Sequence, residues 1–289
     1  MAGIYGTRDI LRGYNRTHGV DLLMGLRGIV REATPLPIRR QVRAARLRAL
    51  RRRNATRSTE QVFSEIYEKG AWGQTQSFDS GSGTRGPARE PYISLVRDLI
   101  AETGARRAVD IGCGDFRIAS GFVDALETYV GIDVVSGLIE RNTVEFGRPS
   151  VSFMALDAAA SEVPNGDICF IRQVLQHLSN AEIAAILERC SKFPMVVVTE
   201  HWPSPQMQRR PNRDKPHGGD TRVDFGSWVD ISAEPFACTR TSERLAVTDD
   251  DEVWAFPGET IRTVVWIPER ALSDPGSPLS PTWTGPAQG

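Results

Sequence analysis

Apolar residues recur along this chain in two rhythms, and their alternation predicts its elements. Short, nearly unbroken apolar runs stand at 108–111 (AVDI), 129–132 (YVGI), 151–156 (VSFMAL), 167–171 (DICFI) and 195–199 (MVVVT). Runs of this length, bounded by polar residues and glycine, read as strands covered on both faces. Between them, residues 90–102, 117–127, 136–146 and 181–190 carry apolar side chains three and four apart, the helical spacing. In 136–146, Leu138, Ile139 and Val144 are expected to face inward, and Asn180 stands where it can cap the helix over 181–190. Such alternation builds an α/β protein with helices on both faces of its sheet. Residues 237–247 and 260–267 add two strands, expected to pair antiparallel at the sheet edge. No internal repeat is found.

Outside this core the pattern changes. Residues 60–73 read as a helix with Val62, Phe63, Ile66 and Tyr67 on one face and Gly70 near its stop. The following Ser77-Phe78-Asp79-Ser80-Gly81-Ser82-Gly83-Thr84 is flexible and polar, suited to a lid or to a plain linker. A helix over 19–31 is ended by Pro35 and Pro37. From Arg39 to Arg57 there are nine arginines and no acid: Arg39, Arg40, Arg43, Arg46, Arg48, Arg51, Arg52, Arg53 and Arg57. That run is either a solvated arm or a contact for an anionic or membrane surface. It holds no aromatic residue to stack on a base, so no specific nucleic-acid partner is expected. The tail from 273 is rich in Pro, Gly and Ser and is expected to be disordered. Three parts result: a helical and basic arm at 1–59, a domain at 60–270 and a tail at 271–289.

Composition narrows the class. At 289 residues, 40% hydrophobic, 25% charged and a net charge of -1, the chain is ordinary for a soluble domain. No stretch approaches the ~18 apolar residues of a membrane span, and the N-terminus lacks the apolar centre of a signal peptide. Cys113, Cys169, Cys190 and Cys238 lie far apart, so reduced thiols and no zinc site are expected. The expected location is the cytoplasm, with any peripheral membrane contact made by the arginine run.

The chemistry gathers around the first predicted strand. Gly112 and Gly114 allow a sharp bend and a close ligand approach. Placed before a helix at 117–127, that bend would sit at a helix N-terminus. Asp133, about twenty positions on, stands where a nucleotide-binding βαβ unit places its ribose-reading acid. A dinucleotide fingerprint would require a glycine where Arg117 stands, and Asp110 suits a cationic ligand rather than a pyrophosphate.

With Asp110-Ile111-Gly112-Cys113-Gly114 and the acid ending the second strand, the chain resembles the class I S-adenosylmethionine-dependent methyltransferases over residues 106–200. It departs from their motif at Phe116, where the last glycine usually stands. The resemblance implies a Rossmann-like, doubly wound mixed sheet of about seven strands, with S-adenosylmethionine as cofactor. It implies cofactor contacts from Asp110, Gly112, Cys113, Gly114, Asp133, Val134, Asp157, Ala158 and Gln173, with Asp157 reading the adenine amino group. The segment Ile66-Tyr67-x-x-Gly70-x-Trp72-Gly73, followed by Ser80-Gly81-Ser82-Gly83-Thr84, is similar to one that lies over the cofactor pocket in a bacterial group, adding Trp72 and Ser82.

A hydroxyl acceptor needs a base, and histidine is suited near neutral pH. His177 follows the fourth strand and is the first candidate, with packing against the cofactor as the plainer role; His201 follows the fifth. Asp214, His217, Asp220 and Asp224 share a polar loop that has ligands for a divalent ion but no recognisable metal spacing. No Asn/Asp-Pro-Pro-aromatic motif of base-directed DNA methyltransferases follows the fourth strand. The relatives implied by the resemblance tailor glycans and small molecules, so a sugar hydroxyl is the expected acceptor. Two alternatives stand beside this one: a nucleotide-binding oxidoreductase, and a non-catalytic module holding an anionic polymer or membrane.

Overall fold

β1 (Arg107–Ile111) is the middle of five parallel strands in a seven-stranded sheet, whose order by strand number along the chain is 3-2-1-4-5-7-6. The computed structural model describes residues 45, 48–49, 52–73, 78–223, 226–248 and 258–269. The chain divides into two units, Met1–Ala49 and Leu50–Gly289, and the sheet belongs to the second. The predicted helix at 19–31 and the tail from 273 lie outside the described residues, as do Arg39, Arg40, Arg43, Arg46, Arg51 and Asp224.

Beside β1 stand β2 (Thr128–Asp133) and β3 (Val151–Ala155) on one side, β4 (Ile168–Arg172) and β5 (Met195–Trp202) on the other, all parallel. β6 (Thr241–Thr248) and β7 (Thr260–Trp266) form the antiparallel edge hairpin the pattern predicts. Alternate residues of each central strand feed two cores, as the pleat requires. Val109, Ile111, Cys169, Ile171, Val196 and Val198 enter one core. Ala108, Ile168, Phe170, Met195 and Val197 enter the other. The first is closed by α3 (Ser136–Phe146) and α4 (Asn180–Cys190), through Leu138, Ile183, Ile186 and Leu187. The second is closed by α2 (Arg89–Thr103), through Tyr92, Ile93, Val96 and Leu99. Each such side chain contributes about 1.5–3 kcal/mol by leaving water.

Four expectations change. Residues 117–127 do not form an α-helix but two short 3₁₀ turns, Ala119–Gly121 and Val123–Ala125. The apolar spacing is helical, but Ser120 and Gly121 are poor helix formers, and a Cβ at 121 would strike Ile93 of α2. The bend after β1 therefore has no helix N-terminus behind it. Val144 is 86% exposed, on the outer face of α3. Ser179, not Asn180, caps α4, in a reciprocal capping box with Glu182. The four cysteines are free thiols, with Cys169 and Cys190 buried.

Candidate active site

At the carboxyl end of β1 the chain turns through Gly112 (φ 71°) and Gly114 (φ 54°), left-handed conformations that glycine adopts without strain. A Cβ on Gly112 would collide with Val174, and one on Gly114 would lie 2.6 Å from Ser80 Oγ. Phe116 also has positive φ, 63°, where the motif usually carries glycine. Its ring is buried against Tyr129, Phe146 and Phe153, and that packing holds the strained backbone in place.

Asp133 ends β2 beside the bend. Its two oxygens accept from Gly114 N (3.3 Å) and Val135 N (3.1 Å), and burial pushes its carboxyl up to about 6. Each carboxylate oxygen has a second lone pair for a ligand hydroxyl. Asp110 lies beneath the bend on the α2 face, where Tyr129 Oη donates to it at 2.7 Å. Burial pushes Asp110 up to about 7 despite Tyr129 and the nearby Arg172. Val134 is partly buried beside Asp133, and Ala158 is buried beyond β3. The Cys113 thiol is kept protonated by burial and by Asp133.

A segment N-terminal to the sheet covers these strand ends. α1 (Thr59–Glu68) begins at Thr59, whose hydroxyl donates to Asp157 at 2.6 Å beyond β3. Ser136 of α3 donates to Glu60 at 2.8 Å. Farther along, Tyr67 Oη meets Ser80 Oγ at 2.9 Å, and Ser80 Oγ accepts from Asp115 N at 2.8 Å. Phe63, Tyr67, Trp72 and Phe78 form an aromatic group joined by His177, whose ring centroid is 5.2 Å from that of Trp72 and 6.4 Å from that of Phe63. The segment thus follows the helix and the glycine-rich stretch anticipated from its pattern. Ser82 is exposed at the start of a 3₁₀ turn, Ser82–Thr84.

Beyond β4 the segment 173–178 faces the same space. Gln173 has φ 57°, a strained conformation for glutamine, and its amide donates to Thr199 O at 2.7 Å. The 3₁₀ turn Leu175–His177 is held at both ends by buried ionisable side chains. Glu200, 2% exposed, accepts from Leu175 N (2.9 Å) and Gln176 N (3.1 Å). Arg222, 1% exposed, donates to Leu178 O at 2.7 Å and Arg213 O at 2.5 Å. Lys215, 2% exposed, donates to His177 O at 3.2 Å. Burial pushes Glu200 up to about 8 and draws Arg222 down to about 10. The signs are complementary: the acid meets amides, and the cations meet carbonyls.

The two candidate bases have different surroundings. His177 lies among the aromatic rings, and burial, aided by Lys215, draws its imidazole down to about 3. His201, in β5, has Nε2 3.1 Å from Glu259 Oε2, and Glu259 is buried. Beside it, Trp202 stacks on Trp228 at 5.2 Å and lies under Arg262. The loop acids do not converge: Asp214 accepts from Asn180 N at 2.8 Å, while His217 Nδ1 pairs with Glu182 at 2.8 Å. Among the described residues no group of three His, Cys, Asp or Glu is placed to hold a metal.

Parallel strands with glycine and acid at their carboxyl ends, closed by an antiparallel hairpin, define the class. Residues 109–193 match the family model of a methyltransferase domain. The 2-ketoarginine methyltransferase of Streptomyces arginensis is 28% identical over 144 residues, 45% of this chain and 43% of that one, so the match spans under half of that relative's length. The N-methyltransferase NodS from Bradyrhizobium japonicum WM9, solved with S-adenosyl-L-homocysteine, shares the fold with a TM-score of 0.51 and 13% identity, over 72% of this chain and 99% of that one. Residues 109–193 thus carry a methyltransferase domain, and the fold around it is one shared with a methyltransferase solved with S-adenosyl-L-homocysteine. The oxidoreductase alternative gives way.

S-adenosylmethionine is compatible with the residues present: Asp133, beside the glycine bend, keeps lone pairs of the kind ribose hydroxyls need, and Asp157, two residues beyond β3, is a carboxylate of the kind an adenine amino group needs. Thr59, Glu200, Arg222 and Glu259 were not singled out from the sequence, and Tyr67 and Ser80 only as parts of the segment over 66–84. For Lys215 a faint signal existed, since it is one of only three lysines in an arginine-rich chain.

Proposed function

We propose that the protein transfers a methyl group from S-adenosylmethionine to a hydroxyl of a small-molecule or glycan acceptor, with His201 as the base. S-adenosylmethionine supplies a methyl carried on a sulfonium, displaced in line by the acceptor. Asp133 and Asp157 hold the nucleoside, Asp110, Cys113, Val134 and Ala158 shape the bend around it, and Trp72 and Gln173 face the reacting end. Ser82 belongs to the segment that closes over the cofactor and excludes water.

The observation that carries the choice of base is the contact between His201 and Glu259. A buried carboxylate fixes the orientation of an imidazole and stabilises the imidazolium formed when it takes a proton. His177, drawn down to about 3, is a poor proton acceptor and serves as an aromatic wall. No step passes through a metal in this reading. The catalytic unit is residues 60–270, between the arm at 1–59 and the tail at 271–289. The protein works in the cytoplasm, and the arginine run touches anionic surfaces; Arg53 and Arg57 are already paired with Glu65. Among the described residues no helix is long and apolar enough to cross a membrane.

The named substrate of the curated relative supports a second reading, in which the acceptor is a 2-oxo acid. The same histidine would then remove a proton from carbon. Purified protein incubated with methyl-labelled S-adenosylmethionine and separate panels of sugars and 2-oxo acids distinguishes them. Label in a sugar ether supports the first; label retained on carbon of an oxo acid replaces it.

A further inference from the structure

The aromatic group over the strand ends is only partly used as core. Phe63 is buried, but Tyr67, Trp72 and Phe78 remain partly open. Tyr67 stands over the glycine bend, with its Oη 3.8 Å from the place a Cβ on Gly114 would take. Trp72 stands over the opposite wall, against His177 of the post-β4 segment. The two rings meet edge to face, with centroids 5.2 Å apart and planes at 87°, so together they span from one wall to the other. The pair thus lies between the bend beside Asp133 and the segment 173–177.

We propose that Tyr67 and Trp72 form an aromatic subsite for the positively charged sulfonium of S-adenosylmethionine, an inference that rests on the cofactor reading of this site. The negative face of an aromatic ring attracts a cation without carrying a formal charge. A carboxylate in that position would itself be a nucleophile in line for the methyl group. A ring face has no lone pair to offer, and the Tyr67 phenol is bonded to Ser80 and kept protonated by burial and by Asp133. The neighbouring carboxylates have other work: Asp133 takes the amides of Gly114 and Val135, Asp110 takes Tyr129, and Asp115 takes Ser80 N and Arg117 N. The sulfonium becomes a neutral thioether when the methyl leaves. The subsite therefore holds the methyl donor more tightly than the product and eases product release.

Titration calorimetry with S-adenosylmethionine and S-adenosylhomocysteine separates this role from packing, since only the first carries the charge. Trp72→Leu and Tyr67→Leu keep an apolar side chain and should each weaken the methyl donor about three- to thirty-fold more than the product. Trp72→Phe and Tyr67→Phe keep a ring and should hold the wild-type ratio of affinities within about twofold. Equal weakening of both ligands in the two leucine variants, or an unchanged ratio, would reduce the rings to packing and overturn the subsite while the cofactor reading stands. A folded wild type that takes up neither ligand would overturn both.

Discussion

The two halves of the candidate site, around β1 to β3 and around β4 and β5, are built in different ways. Around β1 to β3 the functional groups sit at strand ends within about one βαβ unit of each other: Gly112, Gly114, Asp133 and Asp157. Around β4 and β5 the organising groups come from far apart in sequence and are ionisable side chains, most of them buried: Glu200, Lys215 and Arg222 on one short turn, and His201 with Glu259. The first half uses backbone shape, which a few glycines and acids specify locally. The second half uses long-range polar contacts, in which each buried ionisable group is tolerable only because its partners are in place.

The sharpest test of the contrast is between the two histidines. His201→Ala should lower turnover by about 10²–10⁴ with little change in S-adenosylhomocysteine affinity. His177→Ala should chiefly alter cofactor affinity, and the reverse pattern from steady-state kinetics and calorimetry would exchange their roles. Next in size, Arg222→Met should reduce stability by about 2–4 kcal/mol. It leaves the Leu178 and Arg213 carbonyls and Glu200 uncompensated. Denaturant unfolding measures the loss; a change under about 0.5 kcal/mol would show the turn needs no clamp. In the first half, Asp133→Ala should weaken S-adenosylhomocysteine by about 1–3 kcal/mol, the scale of lost charge-assisted hydrogen bonds. Unchanged affinity would remove Asp133 from the pocket.

The smallest expected effect is on pH dependence. Asp110 and Glu200 are pushed up to about 7 and about 8 from 3.8 and 4.5, so near neutrality the folded chain holds protons that the unfolded chain has released. Their contribution to stability therefore falls as pH rises toward 8. His177, drawn down from 6.5 to about 3, has the opposite slope, but only below about 6.5. Thermal melts from pH 6.5 to 8 should thus show stability declining by about 1 kcal/mol. Glu200→Gln should flatten that decline; an unchanged slope would mean Glu200 does not titrate there.

Periodicity located all seven strands within a few residues, most plainly β1, β4 and β5, because strands buried in a parallel sheet are apolar on both faces. It failed at 117–127, where apolar spacing is the same for a helix and for 3₁₀ turns, and close packing against α2 decides. The motif at 110–114 was legible since backbone shape is a local property of glycine. Left-handed Phe116 was visible only as a departure from the motif, since its strain is sustained by rings from β2, β3 and α3.

From its order of residues alone, the chain thus determined its sheet, its bend and the acid that ends its second strand, all of which follow from local propensity and spacing. Only the tertiary structure decided which histidine gains a carboxylate and which is stripped of water. A histidine's partners come from far along the chain, as His201 and Glu259 are 58 positions apart, and its proton affinity depends on burial, as His177 shows.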